Sequence, residues 1–356
     1  MAKKKLQIGI IGSGGIAQSC HMPGYQSMPD LCEITWVCDA NSETAQTAAE
    51  KFGVPNITTD YRDVLADKSV DAVSVATPNK YHLQPTVDAL NAGKHVLCEK
   101  PLAMNADEAR KMCRAAKDNK KILQVALQSR FGGQAQFMKH FIDNGHMGDI
   151  YFARAWALRR RGVPAWGVFI DKELQGGGPL IDIGVHILDF TLFLMGYPKP
   201  VSASGQTWDI LGKNPKLYNS WGDYDRSKFT VEDYAVGLIK FENGAAVCLE
   251  SSFMGNLDGD PFRTHLFGTK AGALVEPFGN IEIYSEQDRQ LFNMHPVNVP
   301  HVHSSHIAEV QAFVHAILEK KPSPVPGENG LILNAIFDAL YKSSETGKEQ
   351  AVDVSC

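Results

Sequence analysis

The sequence predicts an α/β protein of two domains: a doubly wound parallel sheet, followed by an α+β domain with an open, mostly antiparallel sheet. Three observations predict this fold class. The chain has 356 residues, which is too long for one ordinary core. Apolar runs alternate with helical segments in the first third, and from Ile150 extended segments follow one another. We expect domains at 1–127 and 128–356, with the final helices able to pack back on the first domain.

Composition narrows the class of partner. The chain is 44% hydrophobic and 21% charged, as in a globular protein. A net charge of -5, with no basic run longer than Lys3–Lys5, argues against nucleic acid. No apolar run approaches membrane-spanning length, and Met1–Lys5 lacks the apolar segment of a signal peptide. The seven cysteines show no C-x-x-C spacing, so we expect no disulfide framework, no metal site and a cytoplasmic location.

The first apolar run, Leu6–Ile11, predicts a buried parallel strand, and a glycine-rich turn follows it at once. The turn reads G-x-G-x-x-A and comprises Gly12, Ser13, Gly14, Gly15, Ile16 and Ala17. After a strand and before a helix, this pattern is the dinucleotide fingerprint. Gly12 makes the tight turn, Gly14 lets the backbone approach a pyrophosphate, and Ala17 lets helix and strand pack closely. Glycine-rich turns also occur without a ligand, so the next strand decides.

That next strand, Ile34–Cys38, ends at Asp39. The fingerprint expects a carboxylate roughly twenty residues on, where it accepts hydrogen bonds from the ribose hydroxyls of the adenosine. A carboxylate there repels a 2′-phosphate, and no Arg or Lys follows until Lys51. The sequence therefore predicts NAD as the cofactor in preference to NADP.

Helices and strands then alternate. The predicted helices are Ser42–Phe52, Asp60–Ala66, Tyr81–Ala92 and Asn105–Asn119, and the predicted strands lie at Ile57, Ala72–Val75, His95–Cys98 and Ile122–Ala126. Ligands on parallel sheets bind beyond the carboxyl ends of the strands. The residues that lie just past strand ends, and so collect at one edge, are Gly12, Asp39, Thr77, Asn79, Glu99, Lys100 and Gln128.

The second half follows a different pattern. Its predicted strands are Ile150–Leu158, Pro200–Thr207, Asp233–Lys240, Ala245–Phe253, His265–Gly268, Gly272–Glu276 and Ile281–Tyr284. Its predicted helices are Gly178–Met195, His303–Glu319 and Asn329–Ser344. Helices on one face of such a sheet leave the other face for water or another subunit. Because residues 236–239 and Ala245–Phe253 are more apolar than one covered face needs, we expect a homodimer or homotetramer formed through this sheet.

Acid–base chemistry is indicated by Asp182 and His186, which are four residues apart in the predicted helix Gly178–Met195 and so share a face. Asp189 continues that face. A His held by an Asp titrates near neutrality and can take a proton from a hydroxyl, and Lys100 could supply a second donor. The ordinary alternatives are a helix histidine with a structural role and a surface lysine that pairs with Glu99.

These features together resemble the Gfo/Idh/MocA oxidoreductase family over essentially the whole chain. The motifs that carry the resemblance are the glycine fingerprint, Ala76-Thr77-Pro78-Asn79 with His82, Glu99-Lys100-Pro101, and Asp182 with His186 after Gly176-Gly177-Gly178. The resemblance implies an N-terminal Rossmann domain and NAD(P)-dependent oxidation or reduction of a sugar or polyol. It adds Pro78 and His82 to the cofactor-binding candidates. In that family the bond before the proline equivalent to Pro101 is commonly cis.

By position, Lys100 corresponds to the family lysine, and Asp182 and His186 to its Asp/His pair. Oxidation of an alcohol needs the hydroxyl proton removed as a hydride leaves the same carbon. His186 is the natural base, Lys100 would donate a hydrogen bond to the developing alkoxide, and Asp182 would orient the imidazole or bind a neighbouring hydroxyl.

Weaker signals point to the substrate. Arg130, Arg159 within Arg159–Arg161, Tyr151 and Asp189 offer hydrogen-bonding groups, and Trp166 offers a flat apolar surface. This mixture suits a pyranose ring, and without a further phosphate loop it favours an unphosphorylated sugar, with C3 of a glucoside preferred over inositol. His301, His303 and His306 resemble a metal cluster, but they introduce a helix and have no obvious carboxylate or Cys partner.

Two other functions stay open. One is a glycosidase of the same architecture that oxidises C3 transiently with bound NAD so that the leaving group can eliminate. The other is a non-catalytic sensor that binds dinucleotide and sugar. Family members of that kind tend to lack the catalytic lysine or histidine, whereas Lys100, Asp182 and His186 are all present here.

Overall fold

In the computed structural model, which describes residues 5–356, the chain divides into two compact units. The first unit contains the chain up to Gln128, residues 304–331 and Cys356, and the second contains residues 129–303 and 332–355. Residues 1–4, which carry most of the basic run and of the segment considered as a leader, lie outside the described residues.

The first unit is built on one parallel sheet. Its strands are β1 (Leu6–Ile11), β2 (Cys32–Cys38), β3 (Asn56–Thr58), β4 (Ala72–Val75), β5 (His95–Cys98) and β6 (Leu123–Val125). They lie in the order β3-β2-β1-β4-β5-β6, and every neighbouring pair is parallel. The order reverses beside β1, which is the mark of a doubly wound sheet. The predicted fold class of this part is confirmed.

Helices connect these strands. They are α1 (Met22–Gln26), α2 (Ser42–Phe52), α3 (Tyr61–Ala66), α4 (Leu83–Asn91) and α5 (Ala106–Asp118), and α10 (Ser305–Glu319) joins them from late in the chain. Side-chain caps start α2 and α5: Asn41 accepts from the amides of Glu43 and Thr44, and Asn105 accepts from the amide of Glu108. Helix α10 packs closely on α1, because a Cβ at Gly24 would lie 2.7 Å from the Cβ of Val310.

The second unit contains a nine-stranded sheet. Its strands are β7 (Ile150–Leu158), β8 (Pro200–Trp208), β9 (Tyr234–Phe241), β10 (Ala246–Ser252), β11 (Phe262–Gly268), β12 (Ala271–Val275), β13 (Ile281–Gln287), β14 (Gln290–Met294) and β15 (Gln350–Ala351). The order is β14-β13-β12-β11-β7-β10-β9-β8-β15, in which the β7–β10 pair is parallel and the other pairs are antiparallel. The predicted open, mostly antiparallel sheet is confirmed. Strands β14 and β15 are additions to the predicted set.

Helices cover one face of this sheet. The helices of this unit are α6 (Gly133–Asp143), α7 (Lys172–Gln175), α8 (Pro179–Asp182), α9 (Gly184–Leu194) and α11 (Gly327–Thr346), whose residues from Ile332 onward belong to it. Of these, α8, α9 and α11 pack on the sheet, and α6 packs on α9. Helix α9 is almost entirely buried and packs on β7, whose inward residues Ala153, Ala155 and Ala157 leave room for it. Strands β8 and β9 carry Gly205 and Gly237 where Leu340 of α11 approaches.

The helix predicted over Gly178–Met195 is not a single helix. Helix α8 ends at Asp182, Ile183 separates it from α9, and the segment from Lys172 to Asp182 is bent by 45° from α9. Across the break, the amide of His186 donates to the carbonyl of Ile183, three residues back, instead of to Asp182. The prediction that Asp182 and His186 share the face of one regular helix is therefore wrong.

Candidate functional site

The glycine turn after β1 has the geometry that the fingerprint requires. Gly12 has φ +84°, and a Cβ there would lie 2.7 Å from the carbonyl oxygen of Ala76, so only glycine fits. At Gly14 and Gly15, by contrast, a Cβ would meet nothing within 4 Å. Open space beside two successive glycines at the start of a helical segment is what a pyrophosphate needs for close approach to backbone N–H groups. These residues fit the phosphates of a dinucleotide.

Asp39 lies directly beside this turn. Its Oδ2 accepts hydrogen bonds from the amide of Ser13 at 2.9 Å and from the Ser13 hydroxyl at 3.3 Å, and its Oδ1 accepts from the amide of Asn41 at 3.0 Å. The carboxylate is thus held at the end of β2 and directed at the glycine turn. In that position the carboxylate can accept hydrogen bonds from ribose hydroxyls, and its negative charge disfavours binding of a 2′-phosphate.

The helical segment after the turn contains a π-helical turn, Ala17–His21, before α1 begins. His21 is buried, and its Nε2 lies 2.8 Å from Oε1 of Glu99 while its Nδ1 lies 3.1 Å from the hydroxyl of Ser74. The hydroxyl of Tyr25 continues this network to Ser74 at 2.8 Å. An inserted π turn changes the facing of the residues that follow it, and such turns often occur at functional sites.

Glu99, Lys100 and Pro101 follow β5, and the Lys100–Pro101 peptide bond is cis. The carboxylate of Glu99 is buried, and its second oxygen accepts the amide of Lys100 at 3.0 Å. Burial opposes ionisation of Glu99, but the hydrogen bond and charge of His21, together with Lys100, hold its pKa below the usual range. Glu99 therefore joins His21 to Lys100 within the protein, and its role as a cofactor ligand stays a prediction.

His82 also requires a correction. The ring is completely buried, with Nδ1 2.8 Å from the carbonyl of Pro101 and Nε2 2.8 Å from the carbonyl of Thr77. Burial lowers its pKa, and the two carbonyls oppose that shift. Because both ring nitrogens are used by the backbone, His82 joins the turn after β4 to Pro101 and is not open to a cofactor.

The remaining cofactor candidates of the first unit are exposed to different degrees. Pro78 is exposed, Thr77 is half-buried with its hydroxyl donated to the carbonyl of Tyr81, and Asn79 is buried. Ile16 is partly exposed at the glycine turn, and Gln128 is half-buried at the start of a short 3₁₀ turn.

In the second unit, three glycines are required where α8 begins. Gly176 has φ +87°, a Cβ at Gly177 would lie 2.0 Å from the hydroxyl oxygen of Tyr341, and one at Gly178 would lie 2.2 Å from the carbonyl oxygen of Glu232. The carboxylate of Glu232 accepts the amides of Gly178 at 2.9 Å and Leu180 at 3.2 Å, and the Tyr341 hydroxyl at 2.9 Å. A buried carboxylate thus caps the helix N-terminus, where negative charge is favourable.

This anchored start positions Asp182 and His186. Asp182 is the last residue of α8 and is buried, whereas His186 lies in the first turn of α9 and is half-buried. Ser251 fixes the same segment, because its hydroxyl donates to the carbonyl of Pro179 at 2.6 Å. Burial raises the pKa of Glu232, although the hydrogen bonds from the amides of Gly178 and Leu180 oppose that shift.

Arg130 and Asp189 are not open to solvent as substrate-binding groups would be. Arg130 pairs with Asp189 through Nε and a terminal nitrogen, and Tyr197 contacts both side chains. Asp189 is completely buried, and Arg130 also lies over the rings of Phe193 and Tyr197. Burial would lower the pKa of Arg130, but the charges of Asp189 and Tyr197 raise it, so the guanidinium stays charged. The pair anchors α9, and the interpretation of both residues as substrate ligands is corrected.

Arg159 and Trp166 belong to an aromatic group that includes one residue the sequence reasoning missed. Trp166 stacks on Trp221, with ring centroids 5.6 Å apart and planes 16° apart, and the guanidinium of Arg159 lies 4.1 Å from the centroid of Trp221. The only sequence signal for Trp221 was an aromatic residue in a polar loop. The neighbouring Arg161 binds the carbonyl of Gly255, and Tyr151 is exposed on β7.

The three C-terminal histidines do not form one group. His301 and His303 belong to the second unit and His306 to the first. Burial lowers the pKa of His306, with Glu99 opposing and His21 adding to the shift. Among residues 5–356, no group of three or more His, Cys, Asp or Glu side chains could hold a metal ion.

Over the same range, no single helix is long and apolar enough to cross a membrane, although the bent pair Lys172–Asp182 and Gly184–Leu194 reaches that length and composition when taken together.

Comparison with known families agrees with this geometry. Residues 6–127 match the family model described as "Oxidoreductase family, NAD-binding Rossmann fold", and residues 135–274 match the Gfo/Idh/MocA C-terminal domain. The chain belongs to the Gfo/Idh/MocA family. It is therefore an oxidoreductase with an NAD-binding Rossmann domain, and the family and cofactor predicted from the sequence are confirmed.

Individual relatives extend the comparison. The chain is 37% identical to D-glucoside 3-dehydrogenase of Escherichia coli K12 over 98% of this chain and 97% of that protein. It is 30% identical to levoglucosan dehydrogenase of Pseudarthrobacter phenanthrenivorans over 70% of this chain and 68% of that protein. Among solved structures, an oxidoreductase domain protein from Kribbella flavida superposes with a TM-score of 0.85 at 25% identity, covering 99% of this chain and all of that one.

Proposed function

We propose that this protein is an NAD-dependent dehydrogenase that oxidises a secondary hydroxyl of an unphosphorylated sugar, glycoside or polyol, with C3 of a glucoside as the favoured position. The observation that carries the proposal is the end-to-end similarity to a D-glucoside 3-dehydrogenase in a chain that contains Lys100, Asp182 and His186. The similarity to a levoglucosan dehydrogenase supports the same substrate class.

In the proposed reaction, NAD when bound accepts the hydride from the carbon that carries the hydroxyl. His186 takes the hydroxyl proton, and Lys100 donates a hydrogen bond to the oxygen as negative charge develops on it. Asp182 orients the imidazole of His186 or binds a neighbouring hydroxyl. The products are a ketone on the sugar ring, reduced NAD and one proton.

The anchors described above support these roles. The amide of Lys100 is fixed by Glu99, and the adjoining carbonyl of Pro101 is fixed by His82. Glu232 and Ser251 fix the segment that ends at Asp182. Groups held by such buried hydrogen bonds need little reorganisation as charge develops, which is the main electrostatic contribution of an active site.

We further propose that the protein assembles as a homodimer or homotetramer through the sheet of the second unit. The face opposite α9 and α11 carries partly exposed apolar side chains on neighbouring strands, including Phe152, Trp156, Val236, Leu238 and Phe267. A nine-stranded sheet with such a face is typical of a subunit interface.

A substrate panel tests the activity. Purified protein is incubated with NAD and free sugars, methyl and aryl glucosides, or inositols, and reduced cofactor is followed by absorbance. We expect NADH formation with glucosides and a 3-keto product. Aryl glucoside hydrolysis without net NADH would indicate the redox-assisted glycosidase instead. Binding of NAD and sugar with no turnover of any panel member would indicate the non-catalytic sensor.

A further inference from the structure

Three side chains of the second unit form what we call the indole stack: Arg159, Trp221 and Trp166. Trp221 contacts both of the others, with the Arg159 guanidinium 4.1 Å from its centroid and the Trp166 ring 5.6 Å away and nearly parallel to it. Phe169 meets Trp166 edge-on at 6.3 Å. Aromatic rings in these arrangements attract one another, and a guanidinium over an indole adds a cation–π interaction.

The indole stack is held in place by the backbone around it. Asn219 spans two loops, because its amide donates to the carbonyls of Val163 and Gly222 while its oxygen accepts the amide of Val163. The guanidinium of Arg159 donates to the carbonyl of Gly162 at 3.0 Å. Asn219 thus joins the loop that carries Trp166 to the loop that carries Trp221, and Arg159 is held within the first of them.

Despite this order, the indoles are not covered. Trp166 is 57% exposed and Trp221 is 39% exposed. If loop packing were the only role of Trp166, most of its apolar surface would be removed from water, since that is where an indole gains free energy. A flat apolar surface that is both fixed and exposed is suited to a ligand with a flat apolar face.

The base of the stack is connected to the segment that carries Asp182. The amide of Arg159 donates to the carbonyl and to the hydroxyl of Ser252, each at 3.1 Å. The adjacent residue, Ser251, donates its hydroxyl to Pro179, the first residue of α8. Burial lowers the pKa of Arg159, and the nearby carboxylate of Asp182 opposes that shift. The indole stack therefore begins beside the segment that carries Asp182.

We infer that the indole stack is a subsite for the group attached to the oxidised sugar ring, a flat apolar aglycone or a second pyranose, so that the substrate is a glycoside and not a free monosaccharide. This inference rests on the proposed function, because it takes the reacting ring to lie at Asp182 and His186. If the sugar ring that is oxidised lies beside Asp182, the substituent of that ring is the part of the substrate that contacts Trp221 and Trp166. The fixed guanidinium of Arg159 keeps Trp221 in place for that contact.

Three glucosides test the inference: methyl glucoside, phenyl glucoside and a glucosyl-glucose disaccharide. All three are compared first as α-glucosides and then as β-glucosides. For the wild-type protein we expect kcat/KM to be higher for the phenyl or the disaccharide substrate than for methyl glucoside by about fivefold, as one added stacking contact would give. If phenyl glucoside has the higher kcat/KM, the natural substituent is an aryl aglycone. If the disaccharide has the higher kcat/KM, it is a second sugar.

Trp166→Ala is expected to remove this preference, because kcat/KM should fall about fivefold more for the preferred glucoside than for methyl glucoside. Trp166→Phe keeps a smaller ring and should retain part of the preference. Tyr218→Ala is the matched control, because Tyr218 is 72% exposed on the same loop as Trp221 but lies outside the stack, and it should leave the preference intact.

Two results would overturn this inference and leave the proposed function intact. One is an equal kcat/KM for all three glucosides in the wild type. The other is an equal loss of kcat/KM for all three in Trp166→Ala, which would indicate that the stack has a purely structural role. Failure of the wild type to oxidise any glucoside would instead remove the proposed function, and this inference with it.

Discussion

Lys100 is fixed through its backbone on both sides. Glu99 accepts the amide of Lys100, and His82 contacts the carbonyl of Pro101, so the lysine leaves β5 in one direction. Both neighbours were expected from sequence to bind the cofactor, Glu99 because it lies just past a strand end and His82 because the family resemblance implies it. In the structure, the polar atoms of both side chains make hydrogen bonds within the protein, and residue type and position along the chain do not predict those partners.

The proposed proton transfer predicts the effect of removing either group. His186→Ala and Lys100→Ala should each lower kcat by roughly a hundredfold or more, because each removes acid–base or alkoxide stabilisation in the transition state. NAD affinity, measured by fluorescence titration, should persist in both variants. A His186→Ala protein with near-normal kcat would remove the histidine from the mechanism.

Asp39 predicts the choice of cofactor. The wild type should prefer NAD over NADP by at least about tenfold, because the carboxylate accepts from the ribose and repels a 2′-phosphate. Asp39→Ala should weaken NAD binding and narrow the preference. Glu43→Gln, an exposed carboxylate at the start of α2, serves as the control. The preference is measured as the ratio of initial rates with limiting NAD and limiting NADP. If that ratio is unchanged in Asp39→Ala, Asp39 is not the residue that discriminates between the two cofactors.

At the level of elements, α8 depends on a contact made far along the chain. Tyr341 of α11 and Glu232 before β9 occupy the space that side chains at Gly177 and Gly178 would need. The three glycines were recognised from sequence as part of a family motif. The residues that require them lie more than fifty positions away and carry no local signal.

Gly177→Ala should therefore destabilise the protein and reduce activity together. Its Cβ would lie 2.0 Å from the Tyr341 hydroxyl, so α8 or Tyr341 has to move. Overpacking of this kind costs about 1–3 kcal/mol in the free energy of unfolding. Denaturant unfolding and kcat measure the two effects. Gly132→Ala, where the nearest atom is 3.4 Å away, is the control for the added methyl group and should have a smaller effect on both, since it costs only the poorer N-cap of α6.

The network of His21, Ser74 and Glu99 joins three elements of the first unit and predicts a pH dependence. Although burial opposes it, His21 and Lys100 hold the pKa of Glu99 below its ordinary value of 4.5. A lowered carboxyl pKa contributes stability that is fully present above pH 4.5 and is lost as the pH falls through the lowered value. Glu99→Gln should remove that contribution.

Denaturant unfolding of the wild type and of Glu99→Gln at neutral pH and at about pH 3 tests this. The difference in unfolding free energy between the two proteins should shrink at the lower pH. Glu286→Gln, an exposed carboxylate on β13, provides the reference. A difference that stays constant with pH would mean that ionised Glu99 adds no stability to the first unit.

On the scale of the whole molecule, the sheet of the second unit predicts association. Its outward side chains on β7, β9 and β11 are only partly covered within one chain. Multi-angle light scattering at micromolar concentration should give the mass of a dimer or tetramer. Leu238→Glu places a charge on this face and should shift the mass towards the monomer, with Leu291→Glu on the exposed β14 as the control. A monomeric wild type would contradict the assembly.

The sequence by itself determined the fold class, the order of most elements and the family, because these depend on local periodicity and short motifs. Strand residues that are apolar on both faces, glycine at a positive φ and Asp39 at a strand end carry their meaning within a few positions. Only the tertiary structure decided that α8 and α9 separate at Ile183, that Arg130 and Asp189 pair in the interior, and that Trp221 supports Trp166. The last two depend on partners distant in sequence, where burial and close packing, rather than residue type, determine whether a polar or aromatic group is available to a ligand.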